Sequence, residues 1–312
     1  MNEQEIEIDD RGFKAIMWAY NSQRLLVSDS PYKSGEINDF VDNGVGGDRS
    51  LRGDWESEEA VIGCFKKYGF PARVVAEEHG EVDIVPNPKY LAVLDGFDGS
   101  SALKLDPQAR GGTMLAIADN LEPRYSDFVF GGLTEFTTKR VLWACRGRGY
   151  AFLRENPYKT KDNVRKIGPI EREPLGQKTK IYLDDPDLYE HASGVTSGLD
   201  EIGNVVRENF TMPLQTMGHK NLRALNSSAA MCLDLVLGKV DAVGGVIAKG
   251  VFEPPAEYVL LDSVGGCLVG QNGQIVRHEK WREFGRPLSP LMRVANPQLA
   301  QQLWVGLGKG RS

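Results

Sequence analysis

Five consecutive apolar residues, Tyr90-Leu91-Ala92-Val93-Leu94, run directly into Asp95-Gly96-Phe97-Asp98-Gly99-Ser100-Ser101. A short apolar run bounded by turn residues has the pattern of a buried strand. The two carboxylates three residues apart are hard oxygen donors of the kind that hold divalent cations. The Gly-Ser-Ser turn after them can aim backbone N–H groups and a hydroxyl at a bound phosphate. A single segment therefore carries donors for a cation and for an anion.

The rest of the composition narrows the partner. The 312 residues suffice for one large domain or two fused halves. With 37 basic and 43 acidic side chains, the net charge is −6. Nucleic-acid binding is not expected, because that function draws on a basic surplus. A small anionic substrate remains compatible, since bound cations would reverse the local sign. The first residues, Met1-Asn2-Glu3-Gln4-Glu5, are acidic and lack the apolar core of a signal peptide. No run approaches the ~18 apolar residues of a membrane span. Cys64, Cys145, Cys232 and Cys267 are scattered without CxxC spacing. The expectation is a cytoplasmic protein with reduced thiols and no membrane partner. His79, His191, His219 and His278 are equally dispersed, so no zinc site is expected.

Periodicity places the elements. Phe13, Ile16, Met17 and Tyr20 predict an amphipathic helix to about Val27. Residues 29–53 are polar and glycine-rich and read as a mobile loop. Val61, Cys64, Phe65 and Tyr68 share one face of a second helix, stopped by Gly69 and Pro71. Strands are predicted at Arg73–Ala76, Tyr90–Leu94, Thr113–Ala118, Phe128–Thr134 and Arg140–Cys145, the last two as a hairpin. The polar stretch 155–178 sets a domain boundary near residue 172. The two halves are then 1–172, carrying the cation and phosphate residues, and 173–312, carrying substrate contacts and a third acidic segment. In the second half, strands are predicted at Lys180–Leu183 and Ala242–Ile247. Helices are predicted at Ser227–Leu237, at Ala256–Val264 before Gly265-Gly266, and after the cap Asn296-Pro297.

Three acidic segments stand out: Glu77-Glu78 at a strand end, Asp95 with Asp98, and Glu253 before a helix. Each alone has a plain structural reading, as a solvated strand end or a helix-dipole partner. Together, converging carboxylates would repel unless cations sat between them. Mg²⁺ takes oxygen ligands and shares them with substrate phosphate. Two such ions can clamp the attacking and leaving oxygens of an in-line displacement.

Glu-Glu, then Asp-x-x-Asp-Gly-Ser-Ser, then an acidic residue before a helix closed by Gly-Gly, resembles the inositol monophosphatase/fructose-1,6-bisphosphatase superfamily, which includes lithium-sensitive phosphatases. The resemblance spans roughly residues 10–305. It implies a layered αβαβα sandwich, in the α+β to α/β range, with the site between the halves and a homodimeric or homotetrameric assembly. It also implies two or three Mg²⁺ ions, with Mn²⁺ as a substitute, held by Glu77, Asp95, the Phe97 carbonyl, Asp98 and Glu253. Gly99, Ser100 and Ser101 would cradle phosphate. Asp54 and Ser100 resemble a water-activating pair, with Asp48 a second loop aspartate and Glu78 beside the site. The residues themselves leave other roles open. Asp54 fits a helix cap, and Asp48, Ser100 and Ser101 fit turns. The glycine-rich loop at 43–47 could open to exchange metal and product.

The implied activity is Mg²⁺-dependent hydrolysis of a sugar or polyol phosphate. Gly96 and Phe252-Glu253 depart from the inositol monophosphatase pattern of a proline and Trp-Asp, and Gly245 lacks an acidic inositol contact. Glu253, Gly-Ser-Ser and the later Tyr-Val are similar to fructose-1,6-bisphosphatases. Ala224 after Arg223, and Ala102 after Ser101, depart from those enzymes. Asn226, Ser227 and Ser228 align with a segment that touches substrate hydroxyls. Arg223 and Lys249 are candidates for a second phosphate or solvated surface charges. Fructose-1,6-bisphosphate and inositol-1-phosphate are both candidate substrates. The alternatives are a 3′-phosphonucleotide phosphatase and a non-catalytic binder of metal or sugar phosphate. A haloacid-dehalogenase-type site would need Asp-x-Asp, and an EF-hand needs alternating acidic ligands absent from 95–106.

Overall fold

The computed structural model describes residues 2–27, 40–43, 49–99, 102, 109–157, 163–169, 175–176, 178–183, 204–219, 222–225, 227–247, 252–284 and 289–307. The first half runs α1 (Glu3–Val27), β1 (Phe40–Asn43), β2 (Arg49–Leu51), α2 (Arg52–Tyr68), β3 (Ala72–Ala76), β4 (Gly80–Asp83), β5 (Tyr90–Asp98) and β6 (Gly112–Ala118). It continues with β7 (Phe128–Glu135), β8 (Arg140–Cys145), β9 (Ala151–Glu155) and β10 (Val164–Ile167). The second half holds β11 (Ile181–Leu183), α3 (Met212–Thr216), β12 (Leu222–Ala224), α4 (Ser228–Val236), β13 (Ala242–Val246), α5 (Pro254–Ser263), β14 (Cys267–Val269), β15 (Pro290–Val294) and α6 (Pro297–Gly306).

Two sheets organise these elements. The larger has the order β10-β9-β8-β7-β6-β5-β3-β4 and is antiparallel except where β3 pairs with β5. The smaller, β12-β11-β13-β15-β14, is parallel at β12-β11-β13 and antiparallel beyond. Alternation along β5 shows why layers form on both sides. Ala92 and Leu94 pack with Ile16, Val61 and Phe65 of α1 and α2. Leu91 and Val93 pack toward Met231 of α4, Leu260 of α5 and Leu268 of β14. The outer face of the small sheet is closed by Phe210, Leu214 and Leu303. The result is an αβαβα sandwich, with α4 and α5 buried between the sheets.

The local signals explain the boundaries. Gly69 (φ 59°) ends α2, with its N–H on the last-turn carbonyls. The Ser227 side chain accepts from Ala230 N and starts α4, and Asn296 does the same for α6 from Leu299 N. One expectation needs correction, and one strand was not expected. The stretch 29–53, read as loop, contains β1, β2 and the first residues of α2. Strands of three or four residues are too short to leave a readable period. The polar stretch 155–178 contains β10, an edge strand whose first three residues are exposed, so it shows no apolar alternation. Its last residue, Ile167, closes the large sheet, and Ile181 opens the small one. No helix among the described residues is long and apolar enough to cross a membrane.

Candidate metal centre

The spacing Asp95-x-x-Asp98 poses a geometric problem. In a regular strand, residues three apart point to opposite faces. Here β5 pairs Asp95 with Met114 and Asp98 with Gly112. Three steps on β5 match two on β6, so one extra residue is inserted as a β-bulge. Phe97 turns outward and stacks on Phe136 at 5.3 Å, while Asp95 and Asp98 both face the central layer. The bulge takes the Gly96 carbonyl out of the regular ladder. That oxygen accepts instead from the Gln23 amide nitrogen (2.9 Å) and the Thr113 hydroxyl (2.8 Å). A buried acceptor is thereby satisfied and the bulge is pinned.

Glycine at 96 is required by what lies over it. A Cβ there would stand 2.4 Å from the Asp54 carbonyl oxygen and 2.7 Å from Glu58 Cγ. The first turn of α2 therefore rests directly on the bulge. Asp54 is the third residue of that helix; the cap position belongs to Leu51, which offers no side-chain cap. Gly99, at φ +90°, turns the chain away in a conformation that a side chain rarely adopts.

Glu253 reaches the same spot from the second half. Donor oxygens of Asp95, Asp98 and Glu253 all lie within 4.8 Å of one another. Burial, then the charges of Glu253, Asp98, Glu77 and Asp54, hold the Asp95 carboxyl well above the usual carboxylate range. Burial and the charge of Asp98 push Glu253 up to about 8. Burial also raises Asp98, against hydrogen bonds that favour its ionised form. Those bonds come from the start of α4: Ser227 Oγ donates at 2.6 Å and Ala229 N at 2.8 Å. At the start of α5 the first two residues are Pro254 and Pro255, which have no N–H to give. On that side the Glu253 backbone N–H offsets part of the rise, and the two prolines add no further N–H. Such closely packed buried carboxylates call for positive charge among them, and an all-oxygen donor set fits a hard divalent cation.

Glu77 lies in the turn between β3 and β4, and its charge acts on both Asp95 and Glu253. Glu78 donates its backbone N–H to Glu58 in the same turn. The Ser227 hydroxyl is committed to Asp98 and to capping α4. Ser228 Oγ accepts from Arg293 Nη2 at 3.4 Å, and Arg293 pairs with buried Glu257 at 2.9 Å behind the cluster. Arg223 is exposed on β12, at the edge of the small sheet, opposite Tyr182. Asp48, Ser100, Ser101, Asn226 and Lys249 lie outside the described residues, as does the 44–47 stretch of the glycine-rich loop. Sequence reasoning overlooked Gln23, Thr113 and Glu58. For Glu58 a signal existed: it stands one helical turn after Asp54 on the same face.

No protein-family model matches the sequence, and no curated protein matches it. Solved structures do match. Fructose-1,6-bisphosphatase from Leishmania major is 13% identical, with a TM-score of 0.68 over 99% of this chain and 95% of that one. Inositol monophosphatase from Anabaena is 14% identical, with a TM-score of 0.63 over 97% and 96%. A sedoheptulose-1,7-bisphosphatase, assigned by similarity, from Toxoplasma gondii is 13% identical, with a TM-score of 0.68 over 96% and 93%. The chain has the fold of the inositol monophosphatase/fructose-1,6-bisphosphatase superfamily.

Proposed function

We propose that this chain is a divalent-cation-dependent phosphomonoesterase acting on a sugar or polyol phosphate. The observation that carries the reading is the β5 bulge, which turns Asp95 and Asp98 to one face within 4.8 Å of Glu253. The chain shares its fold with structures named as phosphatases of such substrates. Asp95, Asp98, Glu253 and Glu77 would hold Mg²⁺, with Mn²⁺ as a substitute. The ion would supply Lewis-acid charge, lower the pKa of water and neutralise the phosphate. Asp54, set on the bulge by its own carbonyl, is the residue to take the proton from attacking water. The water oxygen bonds to phosphorus as the phosphorus–oxygen bond to the sugar breaks, the leaving oxygen takes up a proton, and the phosphoryl group leaves as inorganic phosphate with no covalent link to the protein.

Fructose-1,6-bisphosphate and inositol-1-phosphate are the first substrates to test. Phosphate release would be measured with Mg²⁺ and with EDTA, with a 3′-phosphonucleotide in parallel. Mg²⁺-dependent release from either sugar or polyol ester, abolished by Asp95→Asn, is the expected result. Release from the nucleotide alone would move the substrate class. Release from all three unaffected by EDTA would overturn the reading.

A further inference from the structure

We propose that Glu58 is the positioning residue that locks the Glu77 turn onto the Asp95–Asp98 bulge, so that affinity for a divalent cation depends on a side chain outside the cation's own ligand set. The inference rests on the metal-dependent reading above and concerns how that site is held together. Glu58 lies in the second turn of α2, with its side chain wholly removed from solvent. A buried carboxylate is costly unless several donors meet it. Its donors come from the turn that carries Glu77. The Glu78 N–H lies 3.1 and 3.2 Å from the two Glu58 oxygens, the His79 N–H at 2.9 Å, and His79 Nδ1 at 2.8 Å.

The turn needs such an anchor. It closes the β3–β4 hairpin between Ala76 and Gly80, and β4 is the last strand of the large sheet. Glu77 itself is exposed there. On the other side, Glu58 Cγ presses on Gly96, in the middle of the bulge. Asp54, one turn earlier in the same helix, rests its carbonyl on the same glycine. The His79 ring is further held against Trp55 of α2, centroid to centroid at 3.9 Å. One carboxylate therefore joins the three segments that bring Asp54, Glu77 and Asp95 together. Glu58 is outside the residues proposed above to hold the ion and to take the proton.

Direct Mn²⁺ binding, followed by calorimetry or by the electron paramagnetic resonance of the free ion, tests this on the whole chain. Wild type, Glu58→Gln, Glu58→Asp and a core control, Val74→Ala, would be compared. Glu58→Gln keeps the volume but sets an amide N–H₂ against N–H donors. Glu58→Asp keeps the charge but shortens the reach. Outer residues that orient ligands are worth about 10- to 100-fold in metal affinity. A loss of at least 10-fold in Glu58→Gln, a smaller loss in Glu58→Asp, and unchanged affinity in Val74→Ala would support the proposal. The catalytic rate should recover at saturating Mn²⁺. Affinity within twofold of wild type, in whichever Glu58 variant folds, would overturn it and leave the metal-dependent reading intact. Absence of Mn²⁺ binding by wild type would overturn both.

Discussion

Replacing Gly96 by alanine adds one methyl group at the point where α2 meets the bulge. The new Cβ would stand 2.4 Å from the Asp54 carbonyl oxygen, and real Cβ contacts do not fall below 3.0 Å. The carbonyl must withdraw by about 0.6 Å, and it is backbone within a helix rather than the tip of a flexible side chain. Overpacking of this kind costs about 1–3 kcal/mol. The larger effect should fall on activity, because α2 carries Asp54 with it. A misplacement of about 1 Å costs about 10²-fold in rate, so roughly 10- to 100-fold is expected here. Urea unfolding and steady-state phosphate release at saturating Mg²⁺ would be measured on the same preparation. Gly96→Ala with an unchanged urea midpoint and a kcat within twofold of wild type would refute the claim that α2 is seated on this glycine.

Asp95→Asn should abolish turnover yet make the metal-free protein more stable, because it takes one charge out of a buried cluster of carboxylates; a lower urea midpoint for the metal-free variant would count against a repelling cluster. The pH dependence follows from Glu253, pushed up to about 8 from 4.5. Between those values the folded state holds more protons than the unfolded one, so metal-free stability should fall as pH rises from about 4.5 to about 8. Added Mg²⁺ should therefore raise Tm more at pH 8 than at pH 5, and an equal rise at both would exclude Glu253 from the binding set. Arg293→Met should cost about 3–5 kcal/mol, because it strands Glu257 in the core. Glu257→Gln combined with Arg293→Met should recover much of that loss in a denaturation series.

In the large sheet β3 and β5 to β8 are legible because their apolar runs are flanked by turn residues, whereas β4, β9 and β10 carry no such runs and were not expected. The cap at Asn296 is legible because capping chemistry is local. The convergence of the site is not legible by periodicity. Simple alternation places Asp95 and Asp98 on opposite faces, and only the family resemblance brings them together. The physical device is the bulge, whose trace in the sequence is Gly96 alone. Residues 29–53 were opaque for another reason. Their glycines signal a loop, whereas β1 and β2 arise from pairing with each other, a tertiary event with no local pattern. Glu58 was passed over because a run of glutamates in a helix, Glu56-Ser57-Glu58-Glu59, reads as solvated surface. Its burial comes from the hairpin turn and the bulge that close over it.

The cluster is not uniformly charged in its surroundings, and the asymmetry bears on where a cation would act. Asp98 leans on α4, whose cap hydroxyl and first-turn N–H groups favour its ionised form. Arg293 adds a cation on the same side. Asp95 and Glu253 are raised by burial and by neighbouring carboxylates; the Glu253 backbone N–H offsets part of its rise, and the two prolines opening α5 supply no N–H. The unmet demand for positive charge therefore lies between β5 and the start of α5. Those elements are distant in sequence and pack on each other, with Leu91 and Val93 of β5 toward Leu260 of α5. A cation bound there would tie the large sheet to α5 as it satisfied the carboxylates. The same ion would then both serve the chemistry and hold the site closed.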